Sequence, residues 1–328
     1  MTWLIIAVLL PLVVSFSAVY LLKQFAWRRK LLDLPGAIKA HSTPKPRLGG
    51  IGLFLGWSLG LLVLFLAGQV PFEILLYLCG VCAAFLLVGV VDDLHPLRPL
   101  HKISLLALVT FAAVAFLPAS GWFRSWAGLL FSFVWILGVV NAVNMVDGLD
   151  GLAGSVVWVA SAALLGGFFL TDHFSWGFAL LPLVGAIPGF LAWNFPPAKI
   201  FMGDGGSTFL GFILAIFSLV GSGPTLAFSS LGWAVIISVF LLELLLTVFR
   251  RVRSHQSLAA GDLEHSYNRM QKSNHSDWQV LVSFLLLALT VGSCGLVMIL
   301  TDQTWVAVLA FVLCLSVGLL FTKKQHLF

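Results

Sequence analysis

The stretch Asn141-Ala-Val-Asn144-Met-Val-Asp147-Gly-Leu-Asp150-Gly-Leu joins two apolar segments. Two carboxylates three residues apart, each followed by glycine, fall where a membrane-spanning helix meets water. Spacing of three puts Asp147 and Asp150 on one face of a helix entrance. Glycine lets backbone come close to a ligand. A helix cap needs one Asn or Asp. Four of them in ten positions, at a boundary where polar groups are costly, mark a site. A second group, Val91-Asp92-Asp93-Leu94, sets two carboxylates side by side, with Arg98 and Lys102 following. Adjacent carboxylates repel, so the pair makes sense beside a divalent cation or a basic partner. A hard cation such as Mg²⁺ takes oxygen ligands and keeps phosphates in its shell.

A third group is Asn194-Phe-Pro-Pro-Ala-Lys199-Ile-Phe201-Met-Gly203-Asp204-Gly-Gly-Ser207. Here a carboxylate flanked by glycines precedes a new helix. Ser207 is placed to cap that helix, whose N–H groups would face an anion. A metal–diphosphate site uses both features, with Asp204 on the metal. Loop 23–48 carries Lys39, His41, Lys45 and Arg47 among prolines that keep it extended. These cations face either anionic lipid headgroups or a bound phosphate. The last polar loop holds Arg250, Arg251 and Arg253, which anchor a span, and then His265, Tyr267 and Arg269, whose guanidinium suits phosphate.

What positions these groups is a helical membrane bundle. The chain is 60% hydrophobic and 9% charged, with mean hydropathy +1.05. Soluble domains carry about 25% charge. The fold class expected is therefore all-α, polytopic and a single domain over residues 1–328. Eleven apolar stretches approach the roughly 20 residues a span needs: 2–22, 49–68, 72–91, 103–119, 126–143, 152–171, 176–193, 207–221, 229–249, 278–299 and 305–321. The first reads as a retained anchor, since its basic residues follow it. With the N-terminus outside, 17 of 18 Lys and Arg residues fall in cytoplasmic loops 23–48, 92–102, 144–151, 194–206 and 250–277 and the tail, and only Arg124 lies outside. Asp92, Asp93, Asp147, Asp150 and Asp204 then share the cytoplasmic face. Glu243 alone stands within an apolar run. The pI of about 9.2 does not imply nucleic acid, because the basic residues punctuate apolar runs and form no patch. The four cysteines, including Cys79-Gly-Val-Cys82, all lie in apolar runs and read as packing residues.

These blocks, in this order from about Asp33 to Arg269, resemble the polyprenyl-phosphate N-acetylhexosamine-1-phosphate transferases. That family includes the phospho-MurNAc-pentapeptide translocase and the enzymes that start O-antigen, teichoic acid and enterobacterial common antigen. The resemblance implies a Mg²⁺-dependent enzyme, with Mn²⁺ as the alternative ion, in the bacterial cytoplasmic (inner) membrane. It would move a sugar-1-phosphate from a UDP-N-acetyl-sugar to undecaprenyl phosphate and release UMP. It implies Asp204 and Asn144 as metal ligands, and Asp92 and Asp93 as the catalytic pair, with Lys39 and His265 beside them. Phe201 would stack on uracil, with Asp150 near its polar edge. Lys102 and Arg269 would contact phosphate, and Asp147 and Asn194 would complete the substrate site. The loop Asp262-Leu-Glu-His265-Ser-Tyr267-Asn-Arg269 lacks the histidine-rich motif of the translocase and common-antigen types, which resembles the O-antigen-initiating branch. Transfer from UDP-MurNAc-pentapeptide is the second reading, and an ion-coupled transporter a third. Membrane lipid is the surrounding partner, and a homodimer is left open.

Overall fold

The computed structural model describes residues 2–34, 43–118, 121–223, 228–255 and 264–301, with isolated positions as far as 316. Lys39, His41 and Asp262 lie outside them. The helices run in chain order as α1 (Thr2–Arg29), α2 (Gly49–Leu66), α3 (Phe72–Leu94), α4 (Pro99–Ala115), α5 (Trp126–Val146), α6 (Leu152–Leu170), α7 (Phe174–Asn194), α8 (Gly203–Ser222), α9 (Phe228–Ile236), α10 (Ser238–Arg253), α11 (Ser266–Lys272) and α12 (Asp277–Leu300). Eight are long and apolar enough to cross a membrane. The protein is an all-α polytopic membrane protein, as its composition requires.

Among the described residues the expected spans differ from the helices at two places. α4 covers Pro99–Ala115, 17 residues placed four positions earlier than the expected 103–119 stretch, and it is shorter than the eight spanning helices. The expected span 229–249 is broken, for α9 and α10 meet at Ile237 with a bend of 72°. Beyond the bend α10 carries Glu243 and ends in Arg250, Arg251 and Arg253, groups that are costly in hydrocarbon. The stretch 305–321 lies largely outside the described residues.

α8 is the axis of the bundle. Its residues from Gly205 to Leu219 are all buried, and it packs on α3, α5, α2, α9 and α6. Around it the core is aromatic and aliphatic, with Phe85 stacked on Phe212 at 5.0 Å and Trp57 tilted against Phe209 at 5.4 Å. The α3–α8 crossing is close enough to bring backbone against side-chain-free backbone. A Cβ added at Gly89 would collide with the Asp204 carbonyl and the Gly205 nitrogen, so only glycine allows this approach. It sets the last turn of α3, with Asp92 and Asp93, against the first turn of α8, with Asp204.

The loop between α1 and α2 forms the only strand pairing among the described residues, β1 (Leu32–Asp33) against β2 (Lys45–Pro46), antiparallel with Asp33 opposite Lys45. The ribbon then meets the segment before α8. Phe201 N–H donates to Pro46 O at 2.8 Å, and the first amides of α2, Gly49 and Gly50, donate to Phe201 O (3.0 Å) and Met202 O (2.9 Å). Two helix-end donors with no partner inside their own helix thereby fix the chain entering α8.

Candidate active site

The loops expected on one face do converge. A cavity of about 1000 Å³ opens at that end of the bundle. It is lined by Asp33, Lys45, Arg47, Asp93, Asp147, Asp150, Asn194, Lys199, Phe201 and Asp204, and by Tyr267, Asn268, Gln271, Asp277 and Trp278 on the far wall.

The floor is the α3–α8 crossing. Asp204 lies in the first turn of α8, one residue inside a helix that begins at Gly203. Ser207 is therefore not the cap expected from the sequence: it sits a full turn into the helix, where its Oγ donates to Asp204 O at 3.3 Å. Lys102 Nζ binds the Asp204 carboxylate and also reaches Asp92 Oδ2 at 2.9 Å. Asn144 Nδ2 donates to Asp204 Oδ1 at 2.9 Å and to Ser207 Oγ at 2.8 Å. Asp92 Oδ1 also accepts from Leu97 N–H at 2.7 Å, which turns it away from the cavity. Asp93 is placed differently. Its Oδ2 accepts from Gly205 N–H at 3.1 Å, while its buried Oδ1 has no hydrogen-bond partner among the described residues. Arg47 Nη1 is 4.0 Å from that oxygen, and Arg47 Nη2 binds Asp33 Oδ2 at 2.6 Å.

One wall is the turn between α5 and α6. Asp147 ends α5. Desolvation, then the carboxylates of Asp204 and Asp93, push its carboxyl well above the usual carboxylate range. Asp150 Oδ2 accepts from Ala198 N–H at 2.7 Å and pairs with Lys45 at 3.3 Å, and Lys45 Nζ lies 4.9 Å from the Phe201 ring centroid. Asn194 stitches the turn to the α7–α8 segment: Oδ1 accepts from Gly151 N–H at 3.0 Å, and Nδ2 donates to Ile200 O at 2.9 Å.

Of the residues singled out in the sequence, Asp93, Asp147, Asp150, Asn194, Phe201 and Asp204 line the cavity. Asp92, Lys102 and Asn144 stand behind Asp204. His265 and Arg269 are not in the lining. His265 is buried against Glu243, and Arg269 Nε lies 3.3 Å from Glu264 Oε2. Lys39 is outside the described residues. On the α11–α12 wall sequence reasoning picked out Tyr267 but missed Asn268, Gln271, Asp277 and Trp278; there Gln271 Nε2 donates to Asp277 Oδ1 at 2.7 Å and Trp278 stacks on Phe195 at 5.7 Å. The signal available was the Ser276–Gln279 capping box, which places Asp277 and Trp278 at the start of α12.

A Mg²⁺ ion fits this donor set. Among the described residues no three His, Cys, Asp or Glu side chains form a ready-made cage. Mg²⁺ does not need one, since it usually takes one or two carboxylates and completes its shell with substrate phosphates and water. Asp93 and Asp204 both line the cavity, and Asp93 Oδ1 accepts no hydrogen bond among the described residues. The described lining holds six carboxylates (Asp33, Asp93, Asp147, Asp150, Asp204, Asp277) against three cations (Lys45, Arg47, Lys199). A divalent cation would offset the ionised part of that excess as an anionic diphosphate enters.

Comparison with known proteins matches residues 74–222 to the model for glycosyl transferase family 4. The chain is 30% identical over 320 residues to the decaprenyl-phosphate N-acetylglucosaminephosphotransferase of Mycobacterium leprae, covering 85% of this chain and 79% of that one. The chain belongs to this transferase family. Other members agree: the probable undecaprenyl-phosphate N-acetylglucosaminyl 1-phosphate transferase of Bacillus subtilis is 29% identical over 86% of this chain and 81% of its own. The undecaprenyl-phosphate alpha-N-acetylglucosaminyl 1-phosphate transferase of Escherichia coli K12 is 28% identical over 83% and 78%. As a family member the protein is a polyprenyl-phosphate sugar-1-phosphate transferase. The family match runs from α3 to the end of α8, and so takes in the Asp92–Asp93 pair, the Asp147–Asp150 turn and Asp204.

Proposed function

We propose that the protein transfers N-acetylhexosamine-1-phosphate from a UDP-sugar to undecaprenyl phosphate at the cytoplasmic face of a bacterial inner membrane, releasing UMP. The product would initiate a cell-surface polysaccharide, O-antigen-like in the sequence reading. The relatives are named for N-acetylglucosamine, which makes UDP-N-acetylglucosamine the first donor to test. The observation that carries the proposal is the polar cavity at the end of an apolar bundle, where Asp93, Asp147, Asp150 and Asp204 meet Lys45 and Arg47. A soluble nucleotide and a membrane-held phosphate can both reach such a place.

A lipid phosphate oxygen attacks the β-phosphorus, the bond from that phosphorus to the bridging oxygen breaks, and UMP leaves with the oxygen. A phosphate monoester loses its second proton near about pH 6, so the nucleophile is already a dianion at neutral pH. The protein's contribution is then position and charge. Asp204, with Asn144 Oδ1 and Asp93, would hold Mg²⁺, which supplies charge neutralisation for the diphosphate when bound. Lys102 holds Asp204 and Asp92 in place. Arg47, oriented by Asp33, presents its other guanidinium nitrogens to a phosphate beside Asp93. Lys45 and Phe201 form the wall on which a uracil ring would lie.

The test is UMP release by purified protein in detergent with undecaprenyl phosphate, Mg²⁺ and a panel of UDP-N-acetyl-hexosamines, including UDP-MurNAc-pentapeptide. Release with one donor, lost in Asp204→Ala and on chelation, names the reaction and its sugar. No release with any donor, and no lipid-linked sugar in native membranes, would sink the proposal. UMP exchange into the UDP-sugar without lipid would replace direct transfer by a covalent phospho-sugar route.

A further inference from the structure

The α10–α11 junction holds a buried ionisable pair that lies outside the cavity. Glu243 is 2% exposed and His265 7% exposed. His265 Nδ1 lies 3.0 Å from Glu243 Oε1 and 3.4 Å from Thr247 Oγ1. A carboxylate only accepts, so the ring carries its proton on Nδ1 toward Glu243. The same carboxylate accepts from Ser266 N–H, the first amide of α11, at 3.1 Å. Two donors on consecutive residues thus pin the start of α11 to one acidic side chain on α10. A buried carboxylate without them would be costly, so the contact is made or the segment moves.

What this junction carries is the far wall of the cavity. Tyr267 stacks on the His265 ring, with centroids 5.5 Å apart and planes at 11°. Its hydroxyl lies over Gly148, where an added Cβ would overlap it. Gly148 sits between Asp147 and Asp150, so the hydroxyl rests on the turn that holds Asp150 against Lys45 and Ala198. Asn268 and Gln271 follow on the same helix and also line the cavity.

We propose that Glu243 and His265 form a latch that positions α11 against the Asp147–Asp150 turn, making both of them positioning residues for the sugar-nucleotide donor. The inference rests on the proposed transfer reaction. It assigns His265 a role other than the catalytic one the family resemblance implies, and it gives the membrane-level Glu243 a task.

The variants are His265→Ala, His265→Asn, His265→Gln and Glu243→Ala, in detergent-purified full-length protein. Asn places an amide N–H where Nδ1 stands, whereas Gln carries its amide beyond that point. With UMP release as readout, His265→Ala and Glu243→Ala should raise the donor KM about tenfold or more and leave the KM for undecaprenyl phosphate within about twofold. His265→Asn should recover most of the loss and His265→Gln should not. His265→Asn as impaired as His265→Ala, or a shift confined to the acceptor KM, overturns the latch. Hydrogen exchange provides a readout independent of turnover: peptides covering 264–272 should exchange faster in Glu243→Ala while those of α8 do not change. If wild-type protein releases no UMP, the transfer reading falls, and the exchange result still decides whether the junction is a latch. Unchanged exchange at 264–272 overturns it in either case.

Discussion

Gly89→Ala should damage catalysis far more than stability. The new methyl would enter the space held by the Asp204 carbonyl and the Gly205 amide. To restore ordinary van der Waals contact the two helices must part by about 1 Å, because neither obstacle is a side chain that can swing aside. Overpacking of this kind costs about 1–3 kcal/mol. Alanine returns up to about 1 kcal/mol of helix propensity, so the net change in stability is about 0–2 kcal/mol. The site is less forgiving. The displacement separates Asp93 Oδ2 from Gly205 N–H and shifts Asp204 relative to Asp93. Misplacing reacting groups by about 1 Å costs about 10²-fold in rate, equivalent to roughly 2.7 kcal/mol of barrier. Gly80→Ala is the matched control on the same helix, where an added Cβ meets nothing within 4 Å. The assay is kcat/KM from UMP release beside a thermal melt of each variant. Gly80→Ala should melt no lower than wild type and keep its activity. Gly89→Ala activity within about threefold of wild type would refute the argument that the α3–α8 approach sets the distance between the acids.

Three more outcomes follow from the same geometry. Asp93→Asn should lower kcat at least about 100-fold, while Asp92→Asn, whose oxygens are already taken by Lys102 and Leu97, should cost about tenfold; equal losses in steady-state kinetics would mean that both face substrate. Asp33→Asn should weaken phosphate binding by about 10- to 100-fold through loss of a charge-assisted bond worth about 1.5–3 kcal/mol, and Arg47→Lys should be comparably impaired because lysine has no fork to hold; a KM for undecaprenyl phosphate and UDP-sugar both unchanged in Asp33→Asn would exclude the role. Phe201→Ala should raise the donor KM by about 10- to 100-fold if uracil stacks there, since base stacking is worth about 1–3 kcal/mol, and a normal donor KM would place the base elsewhere.

The helical bundle was legible because hydrocarbon imposes a simple rule on composition. Long apolar runs must be helices, and the distribution of lysine and arginine assigns their faces. What escaped was the bend at Ile237. The run 229–249 has one acid and no proline, so nothing local breaks it. The bend follows from what α10 must do, which is to carry Glu243 to the start of α11 while its arginines leave the hydrocarbon. That requirement is tertiary and has no period in the sequence.

The acids were legible for a related reason: a carboxylate at a membrane boundary is expensive, and five on one face stand out. Their division of labour was not legible. Asp92 and Asp93 are adjacent and chemically identical, yet a helix turns neighbouring side chains about 100° apart. One therefore meets Lys102 and the Leu97 amide, and the other meets Gly205 with an oxygen left over. The same holds for the basic loop. Lys45 opens the short strand β2 and Arg47 follows it by one residue, so both enter the same polar end of the bundle. Lys45 reaches Asp150, and Arg47 is drawn to Asp33 by a ladder that pairs residues 32–33 with 45–46. Charge at a boundary tells where a site is. Which atom of which residue is left unpaired depends on partners from four other segments, and that unpaired atom decides what the site can bind.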